Sequence, residues 1–349
     1  MKLAIVGDMH FSIKGASDVM FYHQKRWIDV FIAYLKEHDI KTVIQLGDLF
    51  DSRKAINLKS LKFAREVLFE PLRERGIEFY TLIGNHDIFY RESLEVNSSG
   101  LLLTEFENVH VIEEPSTLTF GSKTCDIVPW LAKSNHDACV NFIENSTSDY
   151  CFGHFEITGY QVLKNVVFEQ GLASNLFSHY DRVFSGHFHI RQSRGNVLYC
   201  GTPYWLTWND AGTKKGFHVL DTESGEVEFV ENRNNYYFWL TYDDINKKFT
   251  DVSNLDLHNA FVKIRLESKT EPFRYAMYVN EIYKQHPYDV KFVEKQEQLL
   301  EEAQTTNMVN MDTVSLIKEY INTTEYTNKD ELTAFIISLY NEALQREGE

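Results

Sequence analysis

Five largely apolar runs in this chain each stop at a glycine-bearing turn that carries aspartate, asparagine or histidine. The runs are residues 3–6, 42–46, 78–83, 149–152 and 182–184. The turns after them read Gly7-Asp8-Met9-His10, Gly47-Asp48-Leu49-Phe50-Asp51, Gly84-Asn85-His86-Asp87, Gly153-His154-Phe155-Glu156 and Ser185-Gly186-His187-Phe188-His189. A short apolar run of this kind reads as a strand covered on both faces, the strand type of parallel sheets. Helical spacing fills the first two gaps: Trp27, Val30, Phe31 and Leu35 after Asp18, then a second helix over residues 58–72. Strand, helix, strand, helix, strand is the order of βαβ units, and open α/β sheets place their sites just past strand C-termini.

Beyond residue 108 the chain becomes richer in strands. Residues 109–112, 118–120, 125–128 and 197–199 read as further strands, and residues 216–220 and 226–229 as a closing hairpin. This pattern predicts an α/β (α+β) chain with a β-sandwich flanked by helices over residues 1–237. Residues 261–266 alternate as a half-buried strand; residues 273–285 follow as a helix and 289–293 as a strand, a small β-α-β module within residues 238–294. Residues 295–311 are polar and read as a linker. Residues 312–349 read as a pair of amphipathic helices: Asn328 with Glu331 has capping-box spacing, and Leu332, Phe335, Ile336, Leu339 and Tyr340 line one face.

Composition excludes some classes. The net charge of −16 lacks the basic footprint of a general nucleic-acid binder, so any DNA grip has to be local. Cys125, Cys139, Cys151 and Cys200 form no Cys-x-x-Cys pair and read as buried thiols of a reducing compartment. No run is long enough to span a membrane, and the expectation is a cytoplasmic protein.

The turn residues point to metal chemistry. Asp8 and His10 are two apart, as are His187 and His189; in extended backbone each pair shares one face and can chelate. Asp48 ends its strand alone, and a carboxylate has two oxygens with which to bridge two cations. Imidazole, carboxylate and amide oxygen without thiolate suit Mn²⁺, Fe²⁺ or Zn²⁺ in an open catalytic site. Two such ions about 3.5–4 Å apart would clamp a phosphodiester and generate hydroxide.

These five turns, in this order, resemble the calcineurin-like metallophosphoesterases. The same turns resemble the SbcD-type nucleases of double-strand-break repair, and around them Asp51-Ser52-Arg53-Lys54-Ala55-Ile56, Ile127-Val128-Pro129-Trp130 and Gly201-Thr202-Pro203 resemble the form found in T-even-like bacteriophages. The resemblance implies that Asp8, His10 and His189 hold one divalent metal, Mn²⁺ foremost, that Asn85, His154 and His187 hold the second, and that Asp48 bridges them. It implies that His86 is catalytic rather than a ligand, facing the scissile phosphate. Asp87 and Glu156 become supports of the ligands or surface caps. Relatives often carry histidine where Asp51 stands, so the resemblance gives Asp51 no role. The implied partners are DNA, a coiled-coil SbcC-like ATPase docked by the tail helices, and a second copy of the chain meeting helices at residues 58–72 and 100–106; the β-α-β module would be a capping domain over the DNA path.

For DNA contact the loop residues Arg53, Lys54, Arg91, Arg191, Arg194, Lys214 and Lys215 are candidates. Tyr204, Trp205 and Trp208 are either base-stacking platforms or aromatic core. A protein phosphatase is disfavoured, because Leu49-Phe50-Asp51-Ser52 stands where those enzymes carry Val-Asp-Arg-Gly. A small-molecule phosphodiesterase shares the metal core and is the alternative activity. A scaffold that has lost catalysis would lack ligands or His86, and none is missing.

Overall fold

The computed structural model describes residues 1–294 and, beyond them, Lys329, Leu332, Thr333 and Ile336, which are helical. The linker expected at 295–311 and the first tail helix lie outside the described residues, as does most of the second. Two six-stranded sheets form the body. In chain order the strands are β1 (Lys2–Val6), β2 (Thr42–Gln45), β3 (Glu78–Leu82), β4 (Val109–Ile112), β5 (Ser116–Phe120), β6 (Lys123–Val128) and β7 (Tyr150–Gly153). There follow β8 (Gln161–Leu163), β9 (Val166–Val167), β10 (Arg182–Ser185), β11 (Gln192–Arg194), β12 (Val197–Tyr199), β13 (Gly216–Asp221) and β14 (Val227–Glu231). The first sheet runs β14-β13-β1-β2-β3-β4 and the second β11-β12-β10-β7-β6-β5, with β8 and β9 a separate hairpin.

Strand alternation divides the side chains between layers. Leu3 and Ile5 enter the core between the sheets with Ile44, Ile127, Phe152 and Phe184. Ala4 and Val6 point the other way, onto Trp27, Ile28, Phe31 and Leu35 of the helix Asp18–Glu37. The outer face of the second sheet is covered by the helix His136–Glu144 through Cys139 and Ile143. The result is the helix-flanked sandwich that the apolar runs predicted. All four cysteines are buried free thiols.

The helix expected over residues 58–72 is interrupted. Leu58–Ala64 passes through a π-helical turn, Arg65–Phe69, into Glu70–Glu74. Pro71 is the cause: it has no N–H for the carbonyl of Val67 and its ring crowds that carbonyl, so the turn widens and the Glu70 N–H reaches back to Arg65 O. The helix expected over 100–106 spans Ser98–Leu102, its N-terminus capped by Asn97, which accepts from the Gly100 N–H at 2.7 Å.

The β-α-β module carries two strands that its alternation did not reveal. Its sheet runs β16 (Lys248–Phe249), β15 (Tyr237–Asp243), β17 (Phe261–Ser268), β18 (Asp289–Glu294), and the last three are parallel. The sheet meets the body through the helix Asp18–Glu37. There His23 is buried, stacked on Tyr236 at 3.8 Å, and its Nε2 donates to Asn259 O at 2.9 Å. Burial lowers the His23 pKa to about 4, so the ring is neutral in the fold. Its contribution to stability is complete above the unfolded pKa near 6.5 and is lost as pH falls towards 4. Relative to His23→Phe, the wild type is expected to lose on the order of 1 kcal/mol per pH unit below 6.5. Denaturant unfolding of both proteins at pH 7, 5.5 and 4.5 measures it.

Candidate metal centre

The C-terminal ends of β1, β2, β3, β7 and β10 all reach one edge of the sandwich. Asp8, His10 and His189 offer ligand atoms that lie within 4.8 Å of one another, and so do Asp48, His154 and His187. Asn85 belongs with the second group: its Oδ1 is 2.9 Å from His154 Nε2 and 2.8 Å from His187 Nδ1. Asp48 lies between the groups, with Oδ2 3.4 Å from His154 Nε2 and 3.8 Å from His10 Nε2. His189 Nε2 is 3.7 Å from Asp8 Oδ2. Every metal-ligand candidate of the sequence therefore reaches one place.

The local backbone differs from the extended geometry expected. His10 and His187 have φ of 44° and 79°, so neither Asp-x-His nor His-x-His is a strand segment. His187 and His189 fall in different groups, the division the resemblance implied, and not in one chelating pair as their spacing alone allowed. Asp48 also has positive φ, 53°. Such conformations are costly for residues with a Cβ and persist where neighbours enforce them. Here Met9 N and His10 N both donate to Asp48 O, at 3.1 and 3.0 Å. Asp87 clamps the other side, accepting from the N–H groups of Asp48 (2.8 Å), Leu49 (3.2 Å) and Gly84 (2.9 Å). Gly84 is dictated by closeness: a Cβ there would lie 2.2 Å from Asp48 Oδ1.

Supports come from residues whose local sequence gives them no role. Asp51 Oδ1 is 3.2 Å from His10 Nδ1, and the Asp51 carbonyl lies 2.7 Å from His86 Nδ1. A carbonyl can only accept, so His86 carries its proton on Nδ1 and leaves Nε2 free. The ring of His86 stands 4.9 Å from that of His10, and its backbone N–H donates to Asp48 Oδ1 at 2.6 Å. Lys215, counted among the DNA candidates, is buried instead. It pairs with Asp210 at 2.5 Å and donates to His189 O at 2.8 Å. No local pattern around Lys215 distinguishes it from a solvated lysine; only the fold buries it. Tyr204 and Trp205 are core, not stacking platforms, and Tyr204 OH donates to Met9 O. Trp208 packs against Tyr237 and Trp239.

The electrostatics suit cations. Burial opposes charge on His154, but the carboxylates of Asp48 and Asp8 outweigh it and raise its pKa to about 9. Asp48 is held well below the usual carboxylate range: burial alone would raise it, and His154 more than reverses that. Burial, with His10 beside it, lowers His189 to about 3. The fit to metal is visible at His10, which is buried and whose Nε2 has no hydrogen-bond partner. A buried, unpartnered ring nitrogen facing two carboxylates is what an imidazole ligand leaves when its ion is taken away. His154 Nδ1 donates to Leu46 O at 2.7 Å and Glu156 Oε1 is 3.0 Å from His187 Nε2, so each ring turns its other nitrogen inward.

The basic candidates lie around this edge with mixed attachments. Arg191 donates from Nε to His218 Nε2 at 3.0 Å and stacks over Phe229. Lys214 pairs with Glu231. Lys54, Arg91 and Arg194 are exposed, and Arg53 is half-buried.

A helix-flanked sandwich whose parallel strands deliver two facing His/Asp groups defines a metal-dependent phosphoesterase. The chain belongs to the calcineurin-like phosphoesterase family, which residues 1–220 match. It is 31% identical over 354 residues to Exonuclease subunit 1 of Enterobacteria phage T4, covering 99% of this chain and all of that protein. It is 23% identical to the SbcD component of the SbcCD nuclease of Escherichia coli K12, over 67% of this chain and 68% of the relative. It is 21% identical to the DNA double-strand break repair protein Mre11 of Nanoarchaeum equitans, over 66% and 69%.

Proposed function

We propose that the chain is the nuclease subunit of an SbcCD-like complex, hydrolysing DNA phosphodiester bonds in recombination, repair and replication of a phage-like genome. The observation that carries the reading is the meeting of two metal-binding groups across Asp48, in a chain similar along nearly its whole length to a phage exonuclease subunit. Asp8, His10 and His189 would hold one divalent cation and Asn85, His154 and His187 the other, with Asp48 shared. The pair would supply Lewis acidity and a hydroxide at neutral pH, and Mn²⁺ is the proposed native ion. The rest falls to the protein. With Nδ1–H fixed on the Asp51 carbonyl, His86 presents Nε2 to the site; in its imidazolium form it would donate Nε2–H to the leaving oxygen, and the neutral ring left behind would take a proton back from water. Asp87 keeps the Asp48 turn in its left-handed form, and Lys215 fixes the His189 carbonyl.

Arg53, Lys54, Arg91, Arg191 and Arg194 would guide the DNA backbone locally, against a net charge of −16. Residues 1–237 would form the nuclease domain, 238–294 the cap over the DNA path, 295–311 a linker, and 312–349 the docking segment for a coiled-coil ATPase. A homodimer would form on the face carrying Leu58 and Leu101, 80% and 69% exposed. Among the described residues no helix is long and apolar enough to cross a membrane, and the proposed compartment is the host cytoplasm. The test is hydrolysis of linear double-stranded DNA by the full chain, stripped with EDTA and reloaded. Cleavage is expected with Mn²⁺ and none in EDTA. Turnover of a small phosphodiester without DNA cleavage, with or without the ATPase, would move the assignment to small-molecule substrates.

A further inference from the structure

Beside the second metal-binding group lies a cavity of about 300 Å³. Trp130, Leu131 and Leu172 supply apolar wall, His136 and Glu156 polar edge, and His154 is shared with the metal group. We propose that this cavity takes one nucleobase of the strand being cut, next to the scissile phosphate; the inference rests on the DNA phosphodiesterase reading above.

Size and place come first. The volume is at the lower end of small-ligand sites, roughly 300–1,000 Å³, and suits a single nucleoside unit rather than a duplex end. A phosphate seated at the metal groups leaves its adjoining base one sugar away, within reach of a cavity that shares His154. An enzyme that must handle one nucleotide of a duplex gains by holding that base out of the stack.

Trp130 is built as a stacking surface. Its backbone N–H donates to Ile83 O at 2.7 Å, just past β3, and its backbone carbonyl accepts from Asn135 Nδ2 at 3.0 Å. Its ring lies 5.2 Å from that of His187 and 5.7 Å from that of His154. A tryptophan with a pinned main chain and a ring set beside two buried or half-buried imidazoles has little freedom to lose when a base stacks on it. Glu156 adds selectivity. Its Oε1 is engaged by His187, while its side chain remains 39% exposed. A carboxylate only accepts, so it favours the bases with an exocyclic amino group, adenine, cytosine and guanine, over thymine.

The experiment uses the full-length Mn²⁺-loaded protein and three esters with one leaving group: the 5′-p-nitrophenyl phosphates of deoxyadenosine and thymidine, and methyl p-nitrophenyl phosphate, which has no base. The ratio of kcat/KM for the deoxyadenosine ester to that for the methyl ester is expected to fall about tenfold in Trp130→Ala, through KM, and to recover in Trp130→Phe. It is expected to fall likewise in His136→Trp, which fills the mouth from a residue that is half exposed. The wild type should prefer deoxyadenosine to thymidine. An unchanged ratio in both Trp130→Ala and His136→Trp overturns the subsite, because a packing role would lower all esters alike. Turnover of no ester and no DNA overturns the nuclease reading instead. Calorimetry of deoxyadenosine monophosphate against deoxyribose 5-phosphate then still reads the cavity, and equal affinities would count against it.

Discussion

Asp48→Ala is expected to abolish DNA cleavage, by at least roughly 10³-fold, the scale of losing preorganised charge stabilisation at a reacting centre. The Asp48 carboxylate is buried and faces both metal-binding groups, 3.4 Å from His154 and 3.8 Å from His10. Its removal deletes the one carboxylate that both cations could share and leaves His154, whose pKa that carboxylate raises to about 9, without its main counter-charge. It also orphans the His86 N–H, which donates to Asp48 Oδ1. Bound Mn²⁺ should therefore fall from two ions to at most one, read by equilibrium dialysis or electron paramagnetic resonance. Asp48→Asn separates the effects, since the amide keeps an acceptor for His86 but not the charge. Two ions retained in both variants would remove Asp48 from the bridging position.

His86→Ser is expected to behave differently: kcat lower by about 10²–10⁴-fold, the range for a general acid or base, with KM within a few-fold and both Mn²⁺ ions still bound. Serine keeps the backbone donor to Asp48 and removes only the ring. The rival outcome has a concrete basis, because His10, Asp51 and His86 also offer ligand atoms within 4.8 Å of one another. If His86→Ser lost an ion, His86 would be a ligand and the leaving oxygen would need another proton source.

The candidate site was legible because each of its residues ends a strand. Short apolar runs and a glycine before each polar residue are local signals, and they survive without knowledge of partners. The supports were not legible. Asp51 looks like any loop aspartate, yet it contacts His10; Lys215 looks solvated, yet it is buried with Asp210 beneath His189. Their roles come from the approach of Asp51 to His10 and of Lys215 to the His189 carbonyl, contacts between separate segments that no spacing encodes. The left-handed backbone at His10, Asp48 and His187 was hidden as well, since even aspartate and histidine adopt it uncommonly and here the crossing turns enforce it.

Sequence alone determined the sandwich, because strand period and burial are set by the order of apolar residues within each run. It also determined which residues reach the site, because a strand delivers whatever follows its last buried position. Residue spacing left their division open, the family resemblance implied one, and tertiary structure supplies its physical cause. His187 and His189, two apart, go to different metal-binding groups because the backbone between β10 and β11 turns at His187 while Asp8 approaches from β1. It also decided that Tyr204 and Trp205 are core and that the small module has four strands, since burial and pairing depend on what the rest of the chain brings alongside.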